Sequence, residues 1–410
     1  MNQDDSIGII ELGNINIKCL IFKVKNDNSA EILSTAIVAS EGIHNDVVVN
    51  LVKASNAIRK CISDAEKKTK KPLKKINVVF EQPDFLCTKF SKHKKIYGSK
   101  IHKDDIEFLL KEAKKQLILN DKKHSIIHIF NHNYIVDGKI FFEEPIDVYA
   151  DSLTHELTFV TLPKNNLKNI NQVFIDCDIE IERLISRTFT FGVELFNTEE
   201  LKFGSILIDL GNEKISLGLF KNSALVHSIT FPFGINHISQ DISKVCSLNL
   251  NESESIRNDF DFSFQKNTNL FDEKDYLKKN YFINSNFRKI SKDLINNVIR
   301  ARLDEIIDKL KKELIVPGFH LNSGTRIQLV GEGSNLINIE KYFVNFLGSN
   351  IQKRVRNNIG KNMDLEKNFV PCLGALKIIK DGWETEALPK IREKNIKEIG
   401  FFAKIFGIRS

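Results

Sequence analysis

Two short stretches of this chain pair a carboxylate with a tight turn: Glu11-Leu12-Gly13-Asn14 and Asp209-Leu210-Gly211-Asn212. Each sits inside a matched run, IIELGNINIKCLIF and LIDLGNEKISLGLF, in which an apolar segment is followed by alternation. A tight turn between strands aims successive backbone N–H groups into one concavity, and such nests bind anions. Glycine permits positive φ and lets a phosphate approach the backbone. The acid just ahead suits Mg²⁺, which keeps several waters and needs only a carboxylate or two. Facing each other, the two turns would grip a triphosphate, with Glu11 and Asp209 holding Mg²⁺ through water. A lone Gly-Asn hairpin is common; a matched pair in repeated context points to function. A third turn, Gly331-Glu332-Gly333-Ser334 in RIQLVGEGSNLINIEKYF, follows a strand and precedes a helical segment. Its glycines would let a purine and ribose lie against the backbone near a helix N-terminus, although a plain strand-to-helix turn reads the same way.

The elements around these turns come in two similar sets. Residues 7–24 read as strand, turn, strand; AEILSTAIVAS adds a third strand. DVVVNLVKASNAIRKCISDAEKKT has a 3.6-residue period, which predicts a helix from Asp46, and INVVFE returns to strand. SILIDLGNEKISLGLFKN and ALVHSITFPF repeat the opening grammar. A repeat at so long a spacing implies two related lobes and not a short-period solenoid. Residues 84–162, with a predicted helix over 103–119 and strands ending in ELTFVTLP, read as a small α+β insertion. The boundaries are then 1–83 plus 163–195 for lobe I, and 196–378 for lobe II with an outer part at about 224–314. A polar linker over 379–398 precedes a terminal segment, 399–410.

Composition narrows the function. The net charge is +7, but basic runs such as KKTKKPLKK hold neither arginine nor interleaved aromatics, so a solvated loop explains them better than nucleic acid does. No uninterrupted apolar run approaches the ~18 residues of a membrane span, and MNQDDSIGII has no signal-peptide features. Six cysteines without a C-x-x-C pair read as reduced thiols. The histidines of HKKIYGSKIH and IIHIFNHN read as surface or strand residues, not metal ligands.

The acid-x-Gly turns, the late G-E-G-S turn and VPCLGALK (370–377) resemble, in order, the phosphate, adenosine and second connecting motifs of the actin-like ATPases. The closer resemblance is to the FtsA family of bacterial cell-division proteins. The stretches that carry the likeness are CDIEIERLISRTFTFGVELFNTEELKFGSILIDLG, GINHISQDIS, NESESIR and EEPIDVYADSLTHELTFVTLP, and it runs from about residue 6 to 378. The resemblance implies a two-lobed actin-like α/β fold of ribonuclease H-like repeats, with a small α+β insert and a C-terminal amphipathic helix. It implies ATP between the lobes, with Gly13, Asn14 and Asn16 at the first phosphate loop and Gly211, Asn212 and Glu213 at the second. Gly234, Glu254 and Arg257 would lie toward the ribose and adenine, and Gly331, Gly333 and Ser334 would complete that side. The chain also departs from the family. Glu11, Asn14 and Asn16 stand where Asp, Thr or Ser, and Lys are usual, and Asn212-Glu213-Lys214 replaces a Gly-Gly-Thr run. Losing glycines restricts positive φ, while Lys18 and Lys214 could return positive charge. These changes predict weak nucleotide binding and slow or absent hydrolysis. Glu194 is the nearest candidate to orient a water, or else an exposed helix residue.

On a helix at 100° per residue, Phe401, Phe402, Ile405, Phe406 and Ile408 fall within an arc of roughly 160°. Lys404 borders that arc, and Arg409 can snorkel. Over 390–410, six basic residues oppose two glutamates, which suits an anionic leaflet at about 1 kcal/mol per nearby basic charge. A terminal helix docked on its own core is the alternative; the polar linker argues for reach. The resemblance implies binding of the C-terminal peptide of FtsZ, self-assembly into an actin-like polymer, contact with later division proteins through the insert, and a peripheral location at the cytoplasmic face of the inner membrane at the septum. Arg302, on the amphipathic NNVIRARLDEIIDKLKKEL, is a candidate contact for an acidic peptide or simply a residue of a solvated face. The runner-up readings are a PilM-like pilus scaffold and an actin-fold small-molecule kinase.

Overall fold

The computed structural model describes residues 6–69, 72–261, 275–316, 319–321, 324–348, 351–353, 365 and 368–381. The expected linker beyond Asp381 and the terminal segment with Phe401, Phe402, Lys404, Ile405, Phe406, Ile408 and Arg409 lie outside the described residues. No helix among the described residues is long and apolar enough to cross a membrane.

The chain opens with an antiparallel meander, β1 (Ile7–Leu12), β2 (Asn16–Val24) and β3 (Ala30–Ala39). A two-residue-per-strand hairpin follows, β4 (Ile43–His44) and β5 (Val47–Val48), before helix α1 (Leu51–Thr69) and strand β6 (Lys75–Phe80). The helix therefore starts later than Asp46. Asn45 and Asp46 take left-handed backbone, φ 48° and 58°, which turns the hairpin, and the Asn50 side chain then accepts the Lys53 N–H at 3.0 Å as a cap. Strand β6 runs parallel to β1.

The insert is an antiparallel sheet, β7 (Leu86–Lys100), β8 (His124–Val136), β9 (Lys139–Phe141) and β10 (Tyr149–Pro163), ordered β7-β10-β8-β9 and joined to helix α2 (Lys103–Asn120). Ile106, Leu109, Leu110, Ala113 and Leu117 recur at helical spacing and give α2 its buried face. They pack against Tyr134, Leu153 and Phe159 of the sheet. Helix α3 (Lys164–Ile175) leads back to β11 (Glu180–Ser186), which lies parallel to β6, and then to α4 (Arg187–Leu195) and α5 (Thr198–Phe203). The first sheet is thus ordered β11-β6-β1-β2-β3.

The second half repeats this plan with β12 (Ser205–Leu210), β13 (Ile215–Lys221) and β14 (Ala224–Phe231), then α6 (Asn236–Cys246), α7 (Leu250–Asp259) and α8 (Lys292–Glu313). Strand β15 (Arg326–Val330), helix α9 (Ile339–Leu347), strand β16 (Ile351–Lys353) and helix α10 (Val370–Asp381) complete it. The order β14-β13-β12-β15-β16 reproduces the first sheet strand for strand, with β15 parallel to both β12 and β16. Strands β1 and β12 are buried at every residue, which is why both read as unbroken apolar runs around a single acid. The described residues fall into two compact units, within Met1–Gly204, Phe220–Ile229 and Asn358–Ser410 for the first, and within Ser205–Leu219 and Thr230–Asn357 for the second.

Two of the buried histidines of the insert, His132 and His155, are kept neutral. Burial, with help from Lys89 and Lys221, pushes His132 down to about 4. Burial alone pushes His155 to about 3; its Nε2 lies 3.0 Å from Asn131 Oδ1 and its ring stacks on Tyr134. The unfolded chain takes up these protons near the ordinary histidine value, so the stability they contribute is complete above about pH 6.5 and is lost as pH falls through 4 and then 3. Between pH 7.5 and pH 4.5, His132 alone should withdraw about 3 kcal/mol. Urea unfolding at the two pH values checks this: His132→Phe should lose less stability on acidification than the unmodified chain.

Candidate functional site

In the first unit the carboxyl ends of β1, β6 and β11 lie side by side, the place where open α/β sheets gather ligand-binding groups. Glu11, only 2% exposed, projects there. The hairpin register sets Lys18 directly opposite, and its Nζ reaches Glu11 Oε2 at 3.2 Å. Arg187, the first residue of α4, brings Nε to 3.3 Å from Glu11 Oε1. Lys18 thus already serves Glu11, and one carboxylate faces two cations. In the turn, a Cβ on Gly13 would come within 2.7 Å of the Asn16 carbonyl. Asn14 Oδ1 accepts the Asn45 N–H at 3.0 Å, tying the β4–β5 hairpin to the loop.

The second turn has the same construction. A Cβ on Gly211 would lie 2.5 Å from the Lys214 carbonyl. Neither Gly13 nor Gly211 takes a positive φ, and neither do Asn212, Glu213 and Lys214. The expected cost of replacing glycines here is therefore absent; both turns need glycine for closeness, not for handedness.

Three further segments converge on this second turn. The Ile235 and Asn236 amides donate to the Gly211 and Asn212 carbonyls at 3.0 and 2.9 Å, clipping the start of α6 onto the loop. A Cβ on Gly234 would lie 2.2 Å from the Asn212 carbonyl. Asn236 Nδ2 donates to Glu213 Oε1 at 3.2 Å. Gly331 does need its left-handed backbone, φ 82°, and a Cβ there would sit 2.3 Å from Asp209 Oδ1. Gly333 packs on Leu210 and Ile235, and the Ser334 hydroxyl closes the turn onto the Gly331 carbonyl at 2.7 Å. The segment after β15 is a short 3₁₀ turn, Glu332–Asn335, so the helix α9 begins beyond it. Arg257, 5% exposed, donates from Nη1 to the Ile235 carbonyl at 3.2 Å and to Asn212 Oδ1 at 3.5 Å. Burial lowers its pKa, while Glu254, one turn before it, and Glu332 pull the other way.

The structure thus gathers Asp209, Gly211, Asn212, Glu213, Gly234, Arg257, Gly331 and Gly333, with the largely buried Lys214 in the same loop. Other predicted residues stand apart. Glu194 sits at the opposite end of α4 from Arg187, about 10 Å along the helix at 1.5 Å per residue, and pairs with Lys377 at 2.9 Å. Arg302 is held within the second unit by Asp241, through Nε at 2.7 Å and Nη2 at 3.1 Å, and by Glu305. An acidic peptide would have to displace those partners. Sequence reasoning missed Arg187, Glu81 and Ser186. An acid ending the apolar strand INVVFE, and a serine at the strand-to-helix junction of LISRTF, were the available signals.

Duplicated five-stranded sheets with glycine turns at their strand ends define an actin-like protein. Solved structures agree on the fold: a PilM–PilN type IV pilus biogenesis complex matches with a TM-score of 0.60 at 12% identity, covering 90% of this chain and 98% of that one. MreB5 of Spiroplasma citri bound to AMPPNP matches at 0.50 and 14% identity, over 93% and 99%. The model of the cell division protein FtsA matches residues 206–368, and that of the SHS2 domain inserted in FtsA matches 86–161. Cell division protein FtsA of Agrobacterium fabrum is 20% identical over 84% of this chain and 80% of its own length. That of Buchnera aphidicola subsp. Acyrthosiphon pisum is 24% identical over 97% and 94%. The chain belongs to the FtsA family of cell-division proteins.

Proposed function

We propose that this chain is an ATP-binding, actin-like scaffold that ties the FtsZ ring to the cytoplasmic face of the inner membrane at the septum. The observation that carries the nucleotide part is the convergence of the Gly211, Gly234 and Gly331–Ser334 segments under Arg257. Backbone amides, a buried lysine and an arginine around side-chain-free backbone suit the phosphates and ribose of a nucleotide. Asp209 supplies the carboxylate that a hydrated Mg²⁺ needs; Glu11 instead holds Lys18 and Arg187. When bound, the metal screens the charge of the phosphates. The chain's own part is to position and neutralise them. With Glu194 engaged by Lys377, ATP acts as an assembly ligand more than as fuel. The terminal segment anchors the chain to anionic lipid, and avidity along a polymer makes one short helix per subunit sufficient. The outer part of lobe II takes the FtsZ C-terminal peptide, and the insert takes later division proteins.

Flotation with anionic liposomes tests the tether. The full chain should rise and carry FtsZ with it, whereas a 1–398 truncation should remain at the bottom. Equal flotation of the two forms removes the tether, and FtsZ that never co-floats removes the link. Titration with a fluorescent ATP analogue tests the nucleotide, with Asp209→Ala expected to weaken it at least tenfold.

A further inference from the structure

The carboxylate site in the first unit has a buried support that reaches it from the insert. His128, fully buried on β8, accepts the Ser186 N–H at its Nε2 over 2.9 Å. Since the amide must donate, Nε2 presents its lone pair there. The Ser186 hydroxyl donates to Glu81 Oε2 at 2.9 Å, and the Thr188 N–H donates to the same oxygen at 2.8 Å. Glu81 is itself buried at the end of β6. Ser186 caps α4, accepting from the Phe189 N–H, so His128 and Glu81 between them fix the first turn of that helix. Between Ser186 and Thr188 lies Arg187, whose guanidinium meets Glu11. The residues come from β8, β11, α4 and the residue that follows β6, and each polar atom named has a partner.

We propose that His128 is a positioning residue of the nucleotide site: through Ser186 and Glu81 it sets where Arg187 holds Glu11, and so links the inserted sheet to the phosphate loop. This rests on the nucleotide reading for its function but not for its geometry. A shift of β8 releases the Ser186 amide, frays the first turn of α4 and lets Arg187 leave Glu11. The insert then acts on nucleotide affinity without touching the nucleotide.

His128→Phe keeps a ring against Phe130 and Phe189, which lie 5.4 and 6.1 Å away, and removes the Nε2 acceptor. His128→Gln places an amide oxygen near the lost nitrogen. Two readouts are needed: amide hydrogen exchange over residues 186–189 in the nucleotide-free chain, and affinity for a fluorescent ATP analogue. His128→Phe should speed exchange at least tenfold and weaken the analogue about tenfold; His128→Gln should stay within about threefold of the unmodified chain in both. Unchanged exchange and affinity in His128→Phe would overturn the proposal, as would equal damage from both variants, since ring packing alone would then explain it. If the unmodified chain binds no nucleotide, the nucleotide reading fails, and the exchange comparison still decides whether His128 positions α4. Should His128→Phe not fold, Ser186→Ala takes its place, leaving the histidine contact and removing the hydroxyl given to Glu81. It carries the same expected losses, and a Ser186→Ala chain unchanged in both readouts would overturn the relay.

Discussion

Gly374→Ala should cost about 3 kcal/mol of folding stability or more, at the upper end of what overpacking does. A Cβ at this position would sit 1.9 Å from the Thr190 carbonyl oxygen and 2.7 Å from its carbon. Those are backbone atoms of α4, so no side chain can rotate away and the helices α4 and α10 must part. On the other side of α4, Gly192 lies under the Phe220 ring, where a Cβ would come within 2.2 Å. The helix is packed at backbone distance on two sides, and the added methyl has nowhere to go. Since ordinary domains hold only about 5–15 kcal/mol in reserve, a large part of the margin disappears. Denaturant midpoints check it: a shift under 0.5 kcal/mol, on the order of a surface substitution, would mean that the helices separate freely.

Glu252→Ala should be comparably damaging. This carboxylate, with no exposed surface, takes the Asn284 and Ser285 amides on one oxygen at 2.8 and 2.9 Å. Its other oxygen takes the Ser285 hydroxyl at 2.6 Å and the Asn249 amide at 3.1 Å. Alanine leaves these donors without their acceptor, and even one or two left unsatisfied amount to about 3 kcal/mol. Burial works to raise the Glu252 pKa, but the hydrogen bonds from Ser285, Asn284 and Asn249 hold it at about 2. Its folded value is depressed, so this stability is complete above about pH 4.3, the ordinary glutamate value, and is lost as pH falls toward 2. Unfolding at pH 7 and pH 3 should therefore show a smaller difference between variant and unmodified chain at the lower pH. A gap that does not narrow would place the effect elsewhere.

What the sequence made legible was whatever local chemistry encodes. The meander and its copy could be read because β-branched alternation and a glycine turn are properties of neighbouring residues. Even the Glu11–Lys18 pair was within reach, since a turn centred between Asn14 and Ile15 sets the two opposite each other in register. The start of α1 was not, because Asp46 fits a helical period while its own φ of 58° belongs to a hairpin turn. Arg302 looked available because its partner Asp241 lies 61 residues away. The support of the first loop was hidden for the same reason. His128, Glu81 and Ser186 come from three segments, and each taken alone is an ordinary residue in or beside a strand.

The backbone contact between Gly374 and Thr190 also bears on mechanics. Helices separated by long side chains can slip past each other by rotamer changes; helices touching at the main chain move as one shaft. Lys377 and Glu194 pin the same pair one turn further along. A pull applied at Asp381, where α10 ends, is therefore borne by α4 and reaches Arg187 at its head. Load on the carboxyl end of α10 would be felt at Glu11 with little give in between.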